Sequence, residues 1–314
     1  MIALDDIYRA RDVIGEVAVR TPVVRLDVDS DAEIWLKLET LQPVRSFKIR
    51  GAGNAVLQAT NAELAGGVFT ASAGNMAQGL CVAARIRGVP ATIVVPEHAP
   101  QSKLDAIARY GGHVIKVPYD EWWNTMMTGR YEGLDGLFVH PVDNQQVMAG
   151  NGTIGLEILE QLGTFDTVVV PWGGGGLFTG IATAVKSEQP KAQMWVAEPE
   201  TAAPVTASRL AGHPVEVDYT PSFVDGSGAR ALIPGVWTLA ERLVDGSLAL
   251  SLDDTAAALR LVAERTRVIA EGAGALSVAA ALSGRVPGKK IVCVVSGGNI
   301  DTAVLARILE GETP

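Results

Sequence analysis

The chain has 314 residues, 48% hydrophobic and 19% charged, which is enough apolar material for one large or two ordinary domains and too much for a disordered chain. Its 26 basic and 35 acidic residues leave a net charge of −9. That balance gives no electrostatic footprint for nucleic acid or an anionic membrane, so any anion must be held by local geometry. Two cysteines, Cys81 and Cys293, cannot build a disulfide framework; both lie in apolar runs and are expected to be buried and reduced, in a cytoplasmic protein. The N-terminus turns acidic at Asp5 and Asp6 without a signal peptide's basic start, and no membrane span is expected.

Along the chain, short apolar runs alternate with helical periodicity. Strands are predicted at 34–38, 67–71, 91–95, 113–117, 136–139, 167–171, 194–197 and 291–295, most of them β-branched and ending in Gly, Pro or Ser. Between them, apolar residues recur three and four apart over 79–87, 101–110, 153–162 and 177–187. A further helix over 252–266 has Ser251 as N-cap and Asp254 three residues on, a capping-box-like start. This alternation predicts an α/β fold with mostly parallel sheets. The chemical motifs fall at strand C-terminal ends in two blocks, 37–79 and 173–299, which predicts a ligand cleft between two lobes.

The first motif runs from Lys37 to Ala52. Pro43 ends a strand, and Ser46 is predicted to cap the helix that follows. Lys48 then falls in the first turn, where the macrodipole disfavours an ammonium by roughly 0.3–1 kcal/mol. Any single lysine is most often a surface residue, but a solvated one has no reason to prefer this place. A lysine that must be uncharged, or covalently joined to a ligand, does. The second motif, Ser72-Ala73-Gly74-Asn75-Met76, follows a strand and opens a helix, an arrangement that serves either as an ordinary βα turn or as a seat for a carboxylate or phosphate. The third, Gly173-Gly174-Gly175-Gly176-Leu177, makes sense where backbone closely surrounds an anion. No Lys-Ser or Lys-Thr follows it, so it is not a nucleoside-triphosphate loop. The fourth, Ser296-Gly297-Gly298-Asn299, again ends a strand in a polar turn, with a hydroxyl able to meet a ring nitrogen or a phosphate.

Other chemistries find little support. Gly150-Asn151-Gly152-Thr153-Ile154-Gly155 has dinucleotide spacing, but a polar segment precedes it where a strand is required, so no nicotinamide or flavin site is expected. His98, His113, His140 and His213 are scattered without metal-ligand spacing, and His140 before Pro141 reads as a structural residue.

Together and in this order, the four segments resemble the β-family, or fold type II, of pyridoxal-phosphate enzymes, in the branch of serine/threonine dehydratases and serine racemases. The likeness extends through Ala99 to Lys103, Phe138 to Pro141, Ala149 to Thr153, Ala197 to Pro199 and Glu271-Gly272-Ala273-Gly274. It implies two lobes, each an open, twisted, mostly parallel sheet flanked by helices, with pyridoxal 5'-phosphate in the cleft. The large cofactor-binding lobe would comprise 1–60 and 142–314, and the small mobile lobe 61–141. Lys48 would carry the cofactor and then remove the substrate's Cα proton, and Phe47 would pack near the ring. Gly173, Gly174, Gly175, Gly176 and Leu177 would bind the phosphate, Asn75 the ring hydroxyl, and Ser296 the pyridine nitrogen. Ser72, Ala73, Gly74, Asn75 and Met76 would hold the substrate carboxylate.

The implied activity is an ammonia-lyase that dehydrates a β-hydroxy amino acid of the L-threonine or L-serine type, acting as a homodimer. A bulkier or acidic substrate, racemisation, β-replacement, or a catalytically idle binding relative are the alternatives; the intact Lys48 speaks against the last. Several positions depart from the family pattern. Met76 stands where many relatives have His, Asn151 where Gln is common, and Asp120-Glu121-Trp122-Trp123 is unusual. The family's divalent-cation positions here hold Glu198, Ala202 and Pro204; proline supplies no carboxylate, so no metal is expected. Serine racemases carry an acid–base Ser where this chain has Ala73. The few residues after the Ser296 motif leave no room for the effector domain of biosynthetic threonine dehydratases, so isoleucine feedback is not expected.

Overall fold

The computed structural model describes residues 2–314. Its strands are β1 (Val23–Arg25), β2 (Glu33–Leu38), β3 (Val68–Ala71), β4 (Ala91–Pro96), β5 (His113–Val117), β6 (Leu137–Phe138), β7 (Thr167–Pro171), β8 (Gln193–Pro199), β9 (Gly246–Leu250) and β10 (Lys290–Val295). Its helices are α1 (Leu4–Ile14), α2 (Lys48–Leu57), α3 (Asn75–Arg87), α4 (Gln101–Arg109), α5 (Tyr119–Thr128), α6 (Gln145–Leu162), α7 (Gly176–Glu188), α8 (Pro204–Ala211), α9 (Pro234–Ala240), α10 (Leu252–Thr266), α11 (Gly272–Leu282) and α12 (Thr302–Leu309).

The strands form a six-stranded sheet, β1-β2-β10-β7-β8-β9, and a four-stranded sheet, β5-β4-β3-β6. Every pairing is parallel except β1 with β2. Alternation along β10 explains the layering. Ile291, Cys293 and Val295 pack on one face with α10 and α11; Val292 and Val294 pack on the other with α7. Because β10 lies between β2 and β7, the chain leaves three adjacent strands toward Lys48, Ser296 and the glycine run at the same sheet edge.

Helix α2 joins the two sheets. Ala52, Ala55 and Val56 enter the core of the small sheet beside Met76, Leu80 and Ile93. The start of α2 is fixed by buried ions. Arg50 donates from Nε to Glu39 (2.7 Å) and from Nη1 to Glu157 (2.6 Å), while Lys37 Nζ reaches Glu157 (2.5 Å) and Thr21 O (2.7 Å).

Two short edge strands, β1 and β9, lie outside the predicted set. Helices α3 and α6 begin earlier than the periodicity indicates, at Asn75 and Gln145. Their interior glycines are contact surfaces: a Cβ on Gly79 would stand 3.1 Å from the Ile49 backbone, and one on Gly155 would stand 2.8 Å from the Ala184 methyl. The segment 150–155 therefore lies inside α6 and is no strand-to-helix turn. Ser251 caps α10, accepting from Asp254 N at 3.0 Å. Ser46 does not cap α2. Its backbone forms an antiparallel bridge with Gly297, Phe47 takes the N-cap position, and the buried Ser46 Oγ has no partner. Both cysteines are buried, and burial pushes the Cys81 thiol up to about 12.

Candidate active site

Lys48 opens α2 with its nitrogen donating to Pro141 O at 2.8 Å and lying 5.1 Å from the centre of the Phe47 ring. Burial lowers its pKa to about 8, against the pull of the Glu271 carboxylate. His140 shapes the acceptor loop. Its Nδ1 accepts from Val142 N (3.0 Å) and Asp143 N (2.7 Å), and burial lowers its pKa to about 4, so the ring is a neutral acceptor. That is a structural role.

Across the cleft, β7 runs into Gly173–Gly176 and the start of α7. Gly175 adopts φ +93° as the N-cap, a left-handed conformation that glycine takes without strain. A Cβ on Gly174 would lie 2.7 Å from the Val142 methyls, and one on Gly176 would lie 2.9 Å from Val142 O. The backbone there forms a cradle whose walls leave no room for side chains. Phe47, Lys48, Gly173, Gly174, Gly175, Gly176, Leu177 and Ser296 line one cleft, together with Val142, Gly226, Ser227 and Ala273. Ser296, at the end of β10, is buried, and its carbonyl accepts from Phe47 N at 3.0 Å, which sets it beside the lysine.

The turn 72–75 comes from the small sheet. Ser72, Ala73, Gly74 and Asn75 are half-buried, and a Cβ on Gly74 would meet nothing within 4 Å. Asn75 Nδ2 donates to Glu271 (2.9 and 3.2 Å), and its Oδ1 accepts from Asn299 Nδ2 (2.7 Å). The Met76 side chain turns into the small-sheet core, so only its backbone remains at the turn. Trp122 and Trp123 stand on α5 with Trp123 half-exposed, and neither lines the cleft.

Glu198 is engaged as a cap. Its carboxylate accepts from Val205 N (2.9 Å) and from Thr206 N and Oγ1 (2.8 and 2.9 Å) at the start of α8. Pro204 supplies no carboxylate at the position where the family has Asp, two residues beyond the Ala202 carbonyl. These three positions do not fit a divalent cation.

Sequence reasoning left three parts of the site without a role. Val142 forms the wall of the cradle. The Gly226–Ser227 loop is tied to Trp172 O through Ser227 Oγ and Gly228 N. Glu271 stands in the Glu271-Gly272-Ala273-Gly274 motif, which by itself points to no role.

The cleft combines a buried, partly neutral amine, a backbone N–H cradle at a helix start and a buried hydroxyl. This donor set suits a phosphate ester that also carries an aldehyde and a ring nitrogen. The sequence profile of the pyridoxal-phosphate dependent enzymes matches residues 15–297. The chain belongs to that family. Among the pyridoxal-phosphate dependent enzymes, it is 40% identical over 315 aligned residues to an L-threonine ammonia-lyase of Thermotoga maritima, covering 98% of this chain and 78% of that one. It also superposes on maize serine racemase with a TM-score of 0.91 at 32% identity, covering 98% and 97% of the two chains. The processed form of threonine deaminase isoform 2 from Solanum lycopersicum superposes with a TM-score of 0.86 at 32% identity, covering 99% and 94%. Among the described residues of this family member, no helix is long and apolar enough to cross a membrane.

Proposed function

We propose that the chain dehydrates L-threonine or L-serine to a 2-oxo acid and ammonia, as a cytoplasmic homodimer. Lys48 carries the reading. Burial brings its pKa down to about 8, so more of it is free amine at neutral pH than of an ordinary lysine. Pyridoxal phosphate, when bound, supplies an electron sink for the pair left as Cα loses its proton. Lys48 Nζ takes that proton, oriented by Pro141 O. The N–H groups of Gly173 to Leu177 hold the phosphate, and the opening of α7 adds its dipole.

Ser296 would face the pyridine nitrogen as a neutral hydroxyl. It could not hold a proton there as a carboxylate would, which would favour prompt loss of the β-hydroxyl. Asn75 would hydrogen-bond the ring hydroxyl, and Phe47 would pack by the ring. Ser72, Ala73, Gly74, Asn75 and the Met76 backbone seat the substrate carboxylate. The lobe 61–141 closes over the site against 1–60 and 142–314, excluding water.

The L-threonine ammonia-lyase and threonine deaminase relatives support this reading. The likeness to maize serine racemase favours racemisation as a second reading, but Ala73 has no transferable proton for the face opposite the lysine. The test combines purified chain, pyridoxal phosphate and L-threonine, following 2-oxobutanoate and the visible absorbance of bound cofactor. Lys48→Ala should lose both. A folded wild-type protein that binds cofactor yet releases no 2-oxo acid from L-threonine or L-serine would refute the assignment.

A further inference from the structure

Asn75, Glu271 and Asn299 come from three separate parts of the chain: the start of α3, the residue before α11, and the turn after β10. Their hydrogen bonds form a closed circuit. Glu271 accepts from Asn75 Nδ2 at 2.9 and 3.2 Å and from Asn299 N at 3.1 Å; Asn299 Nδ2 donates to Asn75 Oδ1 (2.7 Å) and to Val44 O (2.8 Å). Asn299 Nδ2 donates to the Val44 carbonyl and so stands as a donor, which sets the Asn75 oxygen toward it and the Asn75 nitrogen toward Glu271, whose ionised form accepts. One N–H of Asn75 remains for another partner.

The Glu271 backbone is also fixed, donating to Gly297 O at 2.9 Å, one residue beyond Ser296. A Cβ on Gly297 would collide with its carboxylate at 2.5 Å. A second contact, Lys103 Nζ to Asp225 Oδ2 at 2.6 Å, joins the same two sides of the cleft nearby. Burial raises the Glu271 pKa to about 7 despite its bonds to Asn75 and Asn299, and its charge acts on Lys48.

We propose that Glu271 is a positioning residue: it locks the Asn75 amide so that its free group is an N–H donor for the cofactor's ring oxygen, and it ties the substrate turn of the small lobe to the Ser296 seat of the large one. This rests on the reading of the cofactor and of Asn75 given above. Glu271→Gln keeps the shape but presents an NH₂ to Asn75 Nδ2 or to Asn299 N, donor against donor, and so releases the amide.

The experiment titrates each protein with pyridoxal phosphate, following visible absorbance across pH and cofactor retained after dialysis. Wild type should develop the visible band, which tests the underlying reading. Glu271→Gln, with its melting temperature checked, should retain cofactor about tenfold less well and change the pH dependence of the band. The double variant Glu271→Gln with Asn75→Ala should bind no more than about twofold worse than Asn75→Ala alone, because both changes remove one unit. Asn299→Ala removes the opposite partner and should weaken retention in the same direction, which keeps the test decisive if Glu271→Gln fails to fold. A wild type without a band overturns the cofactor reading and this proposal with it. A normal wild type whose Glu271→Gln variant binds within twofold, or whose two changes add in full, overturns the role of Glu271 alone.

Discussion

Replacing Arg50 with methionine removes the guanidinium shared by Glu39 and Glu157. Glu39 has no exposed surface, and it would keep only the Thr21 hydroxyl (2.6 Å) and Gln42 Nε2 (3.2 Å) as direct partners. Lys37, bonded to Glu157, would be left as one cation against two carboxylates. An unpaired buried charge of this kind costs about 3–5 kcal/mol. Unfolding entropy of about 2.1 cal/mol/K per residue makes each kcal/mol worth about 1.5 °C in a chain of this length, so the melting temperature should fall by about 5–8 °C.

The pH dependence follows from Glu39. Burial works to raise its pKa, but Arg50's charge and hydrogen bonds more than reverse this, so the folded value is depressed. A depressed carboxylate stabilises the fold above its ordinary range and loses that contribution as pH falls through the folded value. In Arg50→Met burial is no longer offset, so Glu39's folded pKa rises and protonation relieves the buried charge; the deficit against wild type should shrink as pH falls through the carboxylate range, and the variant's acid limb should be shallower than wild type's. Thermal melts followed by circular dichroism from about pH 4 to pH 8 read both effects. Arg50→Lys should recover only part of the loss, because an ammonium cannot span the two carboxylates as a fork. A variant melting within about 1 °C of wild type, with an unmoved acid limb, would refute the argument that this network holds α2.

Gly174→Val would push its Cβ to 2.7 Å from Val142 and force the cradle wall to shift, so cofactor retention should drop at least about tenfold and the apoprotein's melting temperature should fall as well; equilibrium dialysis and thermal melts decide it. Wild type incubated with L-serine should form pyruvate with little D-serine, and Ala73→Ser should raise the D-serine fraction; chiral chromatography showing D-serine accumulating as fast as pyruvate in wild type would contradict the elimination reading. Added magnesium or a chelator should alter activity little, since Glu198 already caps α8; saturable magnesium activation lost on chelation would count against this. Burial raises the Glu198 pKa to about 7, so its contribution to stability declines as pH rises from the ordinary carboxylate range through 7, and Glu198→Gln should flatten that part of the melting profile.

The α/β class and the chemical motifs were legible because β-branched runs ending in small residues have few other uses, and because glycine runs and polar turns after strands concentrate at sites. What escaped was tertiary in origin. β1 is a three-residue edge strand, and β9 opens with Gly246 and carries half-exposed residues between its ends, so neither shows a clean period. Gly150 and Gly152 suggest a turn in sequence, yet they lie within a helix that needs close approach. Ser46 has the chemistry of a cap, but a bridge to residue 297, far along the chain, decides its conformation. Glu271 could not be assigned because its partners, Asn75 and Asn299, meet it only when both sheets are assembled.

Helix α2 is anchored by ions at Arg50 and by apolar contacts at Ala52, Ala55 and Val56, with the reactive nitrogen at its first residue. Ten residues make a rod of about 15 Å. Its near end is held to the large sheet through Glu39, and its far end is embedded in the core of the small one. Such a rod is a lever with its fulcrum one half-turn from the load. Any displacement of the small sheet would reach the lysine greatly reduced in amplitude, and the helix joining the two sheets would keep its amine almost still.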